Sequence, residues 1–175
     1  SGNFTKFPWS LSGDATWDIS SSDPYEGTYC SQSGDINDNQ VSALSVTVQT
    51  TSDGDISFFR KVSSETNWDF LQFWIDGVKV DEWSGEAGWS EVSYFVQAGV
   101  HIFEWRYDKD GSVSNGSDCA WVDYIVFPPI APFEPDISVD PDFLDFGDVI
   151  LGQNSIMPFS IVNSGTEILT GTVIS

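Results

Sequence analysis

Phe70-Leu-Gln-Phe-Trp-Ile-Asp-Gly-Val-Lys-Val-Asp-Glu-Trp83 decides the fold class. Two short runs rich in β-branched and aromatic residues flank Asp76-Gly77. Asp-Gly readily supplies the two positive-φ positions of a type I′ turn, so the spacing predicts a tight β-hairpin. In the first arm, period-two alternation sets Leu71, Phe73 and Ile75 on one face, read as core. Phe70, Gln72 and Trp74 share the other.

The same period recurs on either side. In residues 41–49, Leu44, Val46 and Val48 alternate with Ser45 and Thr47. Residues 56–62, 91–96, 100–107 and 120–127 read as further strands, the middle two joined by Gln97-Ala98-Gly99, and residues 28–32 fit an early one. No long stretch carries helical periodicity. Roughly eight short strands with turn signals every 8–12 residues predict an all-β fold, a jelly-roll β-sandwich within residues 1–130.

Composition agrees. Asp outnumbers Glu by 19 to 8, and Asp suits turns where Glu suits helices. The 27 acids against 6 Lys and Arg give a net charge of -21. That excludes nucleic acid, whose phosphates need clustered Lys and Arg, and disfavours an anionic membrane surface. An acidic chain with 15% aromatic residues still has the load for a packed core. No run approaches the roughly 18 apolar residues of a membrane span, so membrane insertion is not expected. Ser1-Gly2 reads as a cloning remnant, with the natural N-terminus expected upstream. Cys30 and Cys119 show neither zinc nor redox spacing. They read either as one long-range disulfide or as two separate buried thiols.

The chain changes character near residue 130. All eight Trp and all five Tyr precede it. Then Phe127-Pro-Pro-Ile-Ala-Pro-Phe-Glu-Pro135 reads as a stiff extended linker. Residues 131–175 are taken as that linker's continuation plus a truncated immunoglobulin-like β segment, since a whole sandwich of that kind needs about 100 residues.

Three motifs carry a family resemblance: Phe58-Phe-Arg-Lys-Val-Ser-Ser-Glu-Thr-Asn-Trp-Asp-Phe-Leu-Gln-Phe-Trp-Ile-Asp-Gly77, Gly99-Val-His-Ile-Phe-Glu-Trp-Arg-Tyr-Asp-Lys-Asp-Gly-Ser112 and Gly116-Ser-Asp-Cys-Ala-Trp-Val-Asp-Tyr-Ile125. They resemble MAM-like and concanavalin-A-like jelly-roll modules of bacterial secreted proteins. In the tail, Ile137-Ser-Val-Asp-Pro-Asp-Phe-Leu-Asp-Phe-Gly147 with Phe159-Ser-Ile-Val-Asn-Ser-Gly-Thr166 is similar to the opening of abnormal-spindle/Hydin-type immunoglobulin-like repeats. The resemblance implies a secreted or cell-surface module. It fits a non-catalytic, lectin-like, carbohydrate-binding role, with a polysaccharide or glycan as partner. Equally it fits a protein-interaction, adhesion or spacer role against another protein surface.

Candidate chemistry is sparse. The only histidine, His101, lies in phase with Phe103 and Trp105 and reads as a strand residue rather than a catalytic base. Glu65, Asp69, Glu82, Glu86, Glu91 and Glu104 form no alternating pair of the kind a glycosidase needs, and the chain is read as not an enzyme. For sugar binding, the face carrying Gln72 and Trp74 is the expected platform, bordered by Arg60 and Arg106, with Trp68 in a loop beside it. For calcium, Asp-rich loops at residues 35–39, 53–55 and 108–118 offer hard oxygens, or are simply solvated turns. Asp123 sits in an apolar strand in phase with Trp121, Ile125 and Phe127, where a lone carboxylate is costly. The resemblance implies a structural calcium ligand there. Glu26, Asp35 and Asp38 are its expected partners, and an ion pair with Lys61 or Arg60 is the competing reading.

Overall fold

The computed structural model describes residues 3–131, 133 and 137–163. Part of the Pro-rich linker, and the tail motif from Ser164 onward, lie outside the described residues. The chain divides into two compact units, Ser1–Ala131 and Pro132–Ser175.

Among its described residues the first unit contains ten strands: β1 (Trp9–Gly13), β2 (Asp18–Ser20), β3 (Cys30–Gln32), β4 (Val41–Thr50), β5 (Gly54–Ser63), β6 (Phe70–Ile75), β7 (Val78–Trp83), β8 (Glu86–Val96), β9 (Gly99–Asp108) and β10 (Cys119–Val126). They form two antiparallel five-stranded sheets, one ordered β1-β4-β9-β6-β7 and the other β2-β3-β10-β5-β8. The fold is a jelly-roll β-sandwich. The β6–β7 hairpin closes as expected, with Ile75 opposite Val78 and both Asp76 (φ 52) and Gly77 (φ 77) left-handed, the requirement of a type I′ turn. Gln97-Ala98, by contrast, is not a hairpin turn. It carries the chain from β8 in one sheet to β9 in the other.

Alternation builds the core. Phe103, Trp105 and Tyr107 on β9 are fully buried, and so are Leu44, Val46, Ile56, Phe58, Leu71 and Phe73. Ring centroids of Phe58 and Phe73 lie 4.7 Å apart, and Trp105 is 5.3 Å from each. These are the offset and edge-on arrangements that aromatic quadrupoles favour.

Three expectations need correction. First, two strands beyond those expected, β1 and β2, open the chain. Both are short, Ser-containing strands at sheet edges, β1 mostly exposed and β2 mostly half-buried, with no fully buried residue in either, so they carry no apolar alternation to detect. Second, Trp121 and Asp123 do not face the core. Ala120 and Val122 do, because a β-bulge between Asp123 and Val126, with Tyr124 at φ 48, resets the period. Phe127 therefore points inward, 5.8 Å from Phe103, while Trp121 and Asp123 lie on the outer face. Third, Arg60 belongs to β5 in the sheet opposite β6.

The two cysteines are free buried thiols. They pack with Trp121 and Trp89 on the outer side of the second sheet, beneath the segment before β3. Burial, and then the Asp123 charge, pushes the Cys30 thiol up to about 11. Burial and then Asp118 push Cys119 up to about 12.

The second unit contains β11 (Ile137–Asp140) and β12 (Ser160–Asn163), paired antiparallel. Between them many apolar side chains face solvent, among them Phe143, Ile150, Leu151 and Ile156.

Candidate functional site

The outer face of the β1-β4-β9-β6-β7 sheet gathers three of the five residues expected to bind ligand. Gln72 stands opposite Arg106 on β9 and Glu82 on β7, and Trp74 stands opposite Glu104 and Lys79. Directly opposed residues share a face. Trp74 Nε1 donates to Gln72 Oε1 at 3.1 Å. The Arg106 guanidinium lies 4.7 Å from the Trp74 ring centroid. Arg106 Nε donates to Glu104 Oε1 at 2.8 Å, and Nη2 pairs with the same oxygen at 2.6 Å. Lys79 Nζ pairs with Glu82 Oε2 at 2.6 Å. Asp108 completes the polar rim. Burial raises its carboxyl above the usual carboxylate range, against the opposing pull of Arg106 and Lys79.

A half-buried indole held by an amide and a guanidinium is thus set among carboxylates and an ammonium. The indole offers an apolar face, and the charged groups offer donors and acceptors. Glu104, Lys79 and Glu82 were not picked out as binding residues. Their roles follow from cross-strand register, which the order of residues along the chain does not disclose.

Trp68 sits in the turn between β5 and β6 and is 60% exposed. Arg60 is elsewhere. Its guanidinium lies 5.0 Å from the Trp83 ring centroid. Burial lowers its pKa, opposed by the Asp81 charge.

The opposite outer face is covered rather than displayed. Tyr25 stacks on Phe59 with centroids 3.5 Å apart. Trp89 Nε1 donates to the Asp23 carbonyl at 3.0 Å. Lys61 lies over Trp121 and pairs with Asp23 at 2.6 Å. Asp123 fastens this covering. Its Oδ2 accepts the backbone N–H groups of Tyr25 (2.9 Å) and Glu26 (3.1 Å), and its Oδ1 accepts that of Tyr124 at 2.7 Å. Main-chain donors, not Lys61 or Arg60, satisfy the carboxylate. Beside it opens a cleft of about 640 Å³ lined by Phe4, Lys6, Glu26, Tyr29, Asp123 and Tyr124 among others.

The four residues expected to hold calcium do not converge. Glu26 and Asp123 share that cleft, Asp35 lines a separate hollow with Ala15 and Gln32, and Asp38 lies 3.8 Å from Lys109 Nζ. Among the described residues, the carboxylates that do cluster are Glu65, Asp69 and Asp110.

His101 has both ring nitrogens engaged, Nδ1 with Asp76 Oδ2 at 2.7 Å and Nε2 with the Gln97 carbonyl at 2.9 Å. Asp76 Oδ1 also accepts Ile102 N–H at 2.8 Å. The histidine thus straps two turns together.

No protein-family model and no curated protein sequence matches the chain. Among solved structures, it is similar to the TmCBM61 carbohydrate-binding module in complex with β-1,4-galactotriose, at TM-score 0.50 and 18% identity over 71% of this chain and 90% of that one. It is also similar to VesC, a secreted serine protease from Vibrio cholerae, at TM-score 0.52 and 10% identity over 65% of this chain. The match spans only 24% of VesC. At such identities the likeness is one of fold, and that fold is the jelly-roll β-sandwich.

Proposed function

We propose that the first unit is a non-catalytic carbohydrate-binding module of a secreted or cell-surface bacterial protein, and that a polysaccharide lies across the sheet face centred on Trp74. The observation that carries this reading is the Trp74–Gln72–Arg106 group, ringed by Glu104, Lys79, Glu82 and Asp108. A sugar ring presents axial C–H bonds that pack on an indole face, and its hydroxyls both donate and accept. An aromatic platform edged by carboxylates, an amide and cations matches both demands. Its location on a sheet face favours an extended chain over a single enclosed sugar. The sandwich shared with a galactotriose-binding module supports the assignment.

The test is affinity electrophoresis of the whole chain through gels containing β-1,4-galactan, xylan, mannan or β-glucan. Retardation by at least one is expected. Free migration through all of them would sink the reading and favour a protein partner. The second unit supports that alternative. Its exposed Phe143, Ile150, Leu151 and Ile156 suit contact with other protein, as in an immunoglobulin-like spacer.

A further inference from the structure

We infer that Glu65, Asp69 and Asp110 form a binding site for a hard divalent cation of the calcium class, stapling the β5–β6 turn to the β9–β10 loop. The inference is independent of the sugar-binding proposal. Glu65 and Asp69 close the turn that leads into β6, where Asp69 N–H donates to the Glu65 carbonyl at 3.2 Å. Asp110 arrives from the far side of β9, and its backbone N–H donates to Asp69 Oδ1 at 3.0 Å. Side-chain oxygens of the three acids lie within 4.8 Å of one another.

The deciding observation concerns Asp69. Its side chain is wholly enclosed, 0% exposed, yet Oδ2 has no hydrogen-bond partner. A buried carboxylate oxygen left unpaired is costly. The nearest cation does not meet that cost. Lys109, also wholly buried, donates to Ser114 Oγ at 2.7 Å and is paired with Asp118, with Asp38 at 3.8 Å. Tyr107 O–H donates to Asp118 as well. Lys109 therefore serves a neighbouring acid and eases Asp69 only through space.

The electrostatics lean the same way. Burial raises the Asp69 carboxyl above its ordinary range, and the Asp110 N–H and Lys109 offset this only in part. Glu65 is also raised, by desolvation and by the charges of Asp110, Asp69 and Asp38. Three mutually repelling carboxylates with one unpaired buried oxygen are relieved by a dication at their centre. Calcium takes six to eight oxygens at roughly 2.3–2.6 Å, from carboxylates, carbonyls and water. The absence of His or Cys from this acid cluster argues against zinc, which prefers nitrogen and sulfur.

The experiment is calcium titration of the full chain, read by calorimetry and by thermal melting against a chelator. With calcium about a hundredfold above its Kd, the midpoint should rise by roughly 5–10 °C. Glu65→Gln and Asp110→Asn should each weaken calcium at least tenfold. Asp69→Asn should abolish the calcium increment while raising the midpoint in chelator, because it removes an unpaired buried charge and keeps the oxygen that accepts the Asp110 N–H. Asp123→Asn should leave calcium affinity unchanged. No calcium increment in the parent would overturn the site and mark Asp69 as a neutral or water-linked acid. A calcium increment lost in Asp123→Asn but intact in Glu65→Gln would overturn it too, placing the ion in the cleft instead.

Discussion

Trp74→Ala separates binding from folding, because the two losses have different sizes. Removing the indole deletes its hydrogen bond to Gln72, worth about 1 kcal/mol. It also deletes the Arg106 stacking contact, worth about 0.5–1 kcal/mol at a partly exposed site. The Leu71 and Phe73 core is untouched, since both point the other way. The total of about 2 kcal/mol should lower the melting midpoint by roughly 5 °C. A central aromatic anchor, by contrast, contributes about 2 kcal/mol or more to binding, which is a loss of roughly 30-fold or greater. The assay pairs affinity electrophoresis in the retarding polysaccharide with a thermal melt of each variant. The expected result is a protein that melts slightly early and migrates as though no polysaccharide were present. Trp74→Phe, which keeps a ring without the N–H, should recover part of the retention. If the alanine variant is retarded like its parent, the ligand does not cross this face, and the cleft lined by Tyr29 and Tyr124 becomes the place to look.

Other outcomes follow from local geometry. Gly13 has φ +97, and a Cβ there would collide with the Val41 carbonyl, so Gly13→Ala should cost about 2–3 kcal/mol and roughly 6–10 °C of melting temperature; an unchanged midpoint would mean that β1 does not hold this register. Burial alone would depress the His101 pKa, but its hydrogen bonds to Asp76 and to the Gln97 carbonyl raise it. The stabilisation is therefore complete below the unfolded value of about 6.5 and fades as pH rises through the folded value. The midpoint difference between parent and His101→Gln should shrink from pH 6 to pH 8, and a difference that grows would refute the sign. Cys30 and Cys119, pushed up to about 11 and 12, should resist iodoacetamide in the native protein near pH 8 and react in urea. Rapid native labelling would show the covering segment to be open.

How much of this was legible in the sequence depended on whether the signal was local. The β6–β7 hairpin could be read because Asp76-Gly77 and its flanking alternation are contiguous. The core face of β9 could be read for the same reason. β1 and β2 escaped because an edge strand with one neighbour and no buried face carries little apolar pattern. The phase of Asp123 was misread because one irregular residue, Tyr124, shifts the alternation within an otherwise regular apolar run. Arg60 was assigned to the wrong surface because local pattern does not say which of two sheets a strand joins, and the chain changes sheets at residues 51–53. Trp74 and Gln72 could be brought together from alternation within one strand, whereas Arg106 reaches them only because β9 pairs with β6 out of chain order. Glu65, Asp69 and Asp110 could not be brought together, since Asp69 and Asp110 are 41 positions apart and meet only when both loops are placed at one end of the sandwich.

The exit of the chain from the sandwich bears on how the module carries load. After β10 the backbone turns back along β4: Ile130 bridges Thr50, Ala131 N–H donates to the Gln49 carbonyl at 2.8 Å, and Thr51 N–H donates to the Pro129 carbonyl at 2.7 Å. Tension arriving from the C-terminal side meets these bonds before it reaches β10, which lies at the centre of its sheet between β3 and β5. Detaching the chain then requires breaking a strand free along both of its edges at once. The segment that leaves β10 is thus moored to one sheet and rooted in the middle of the other.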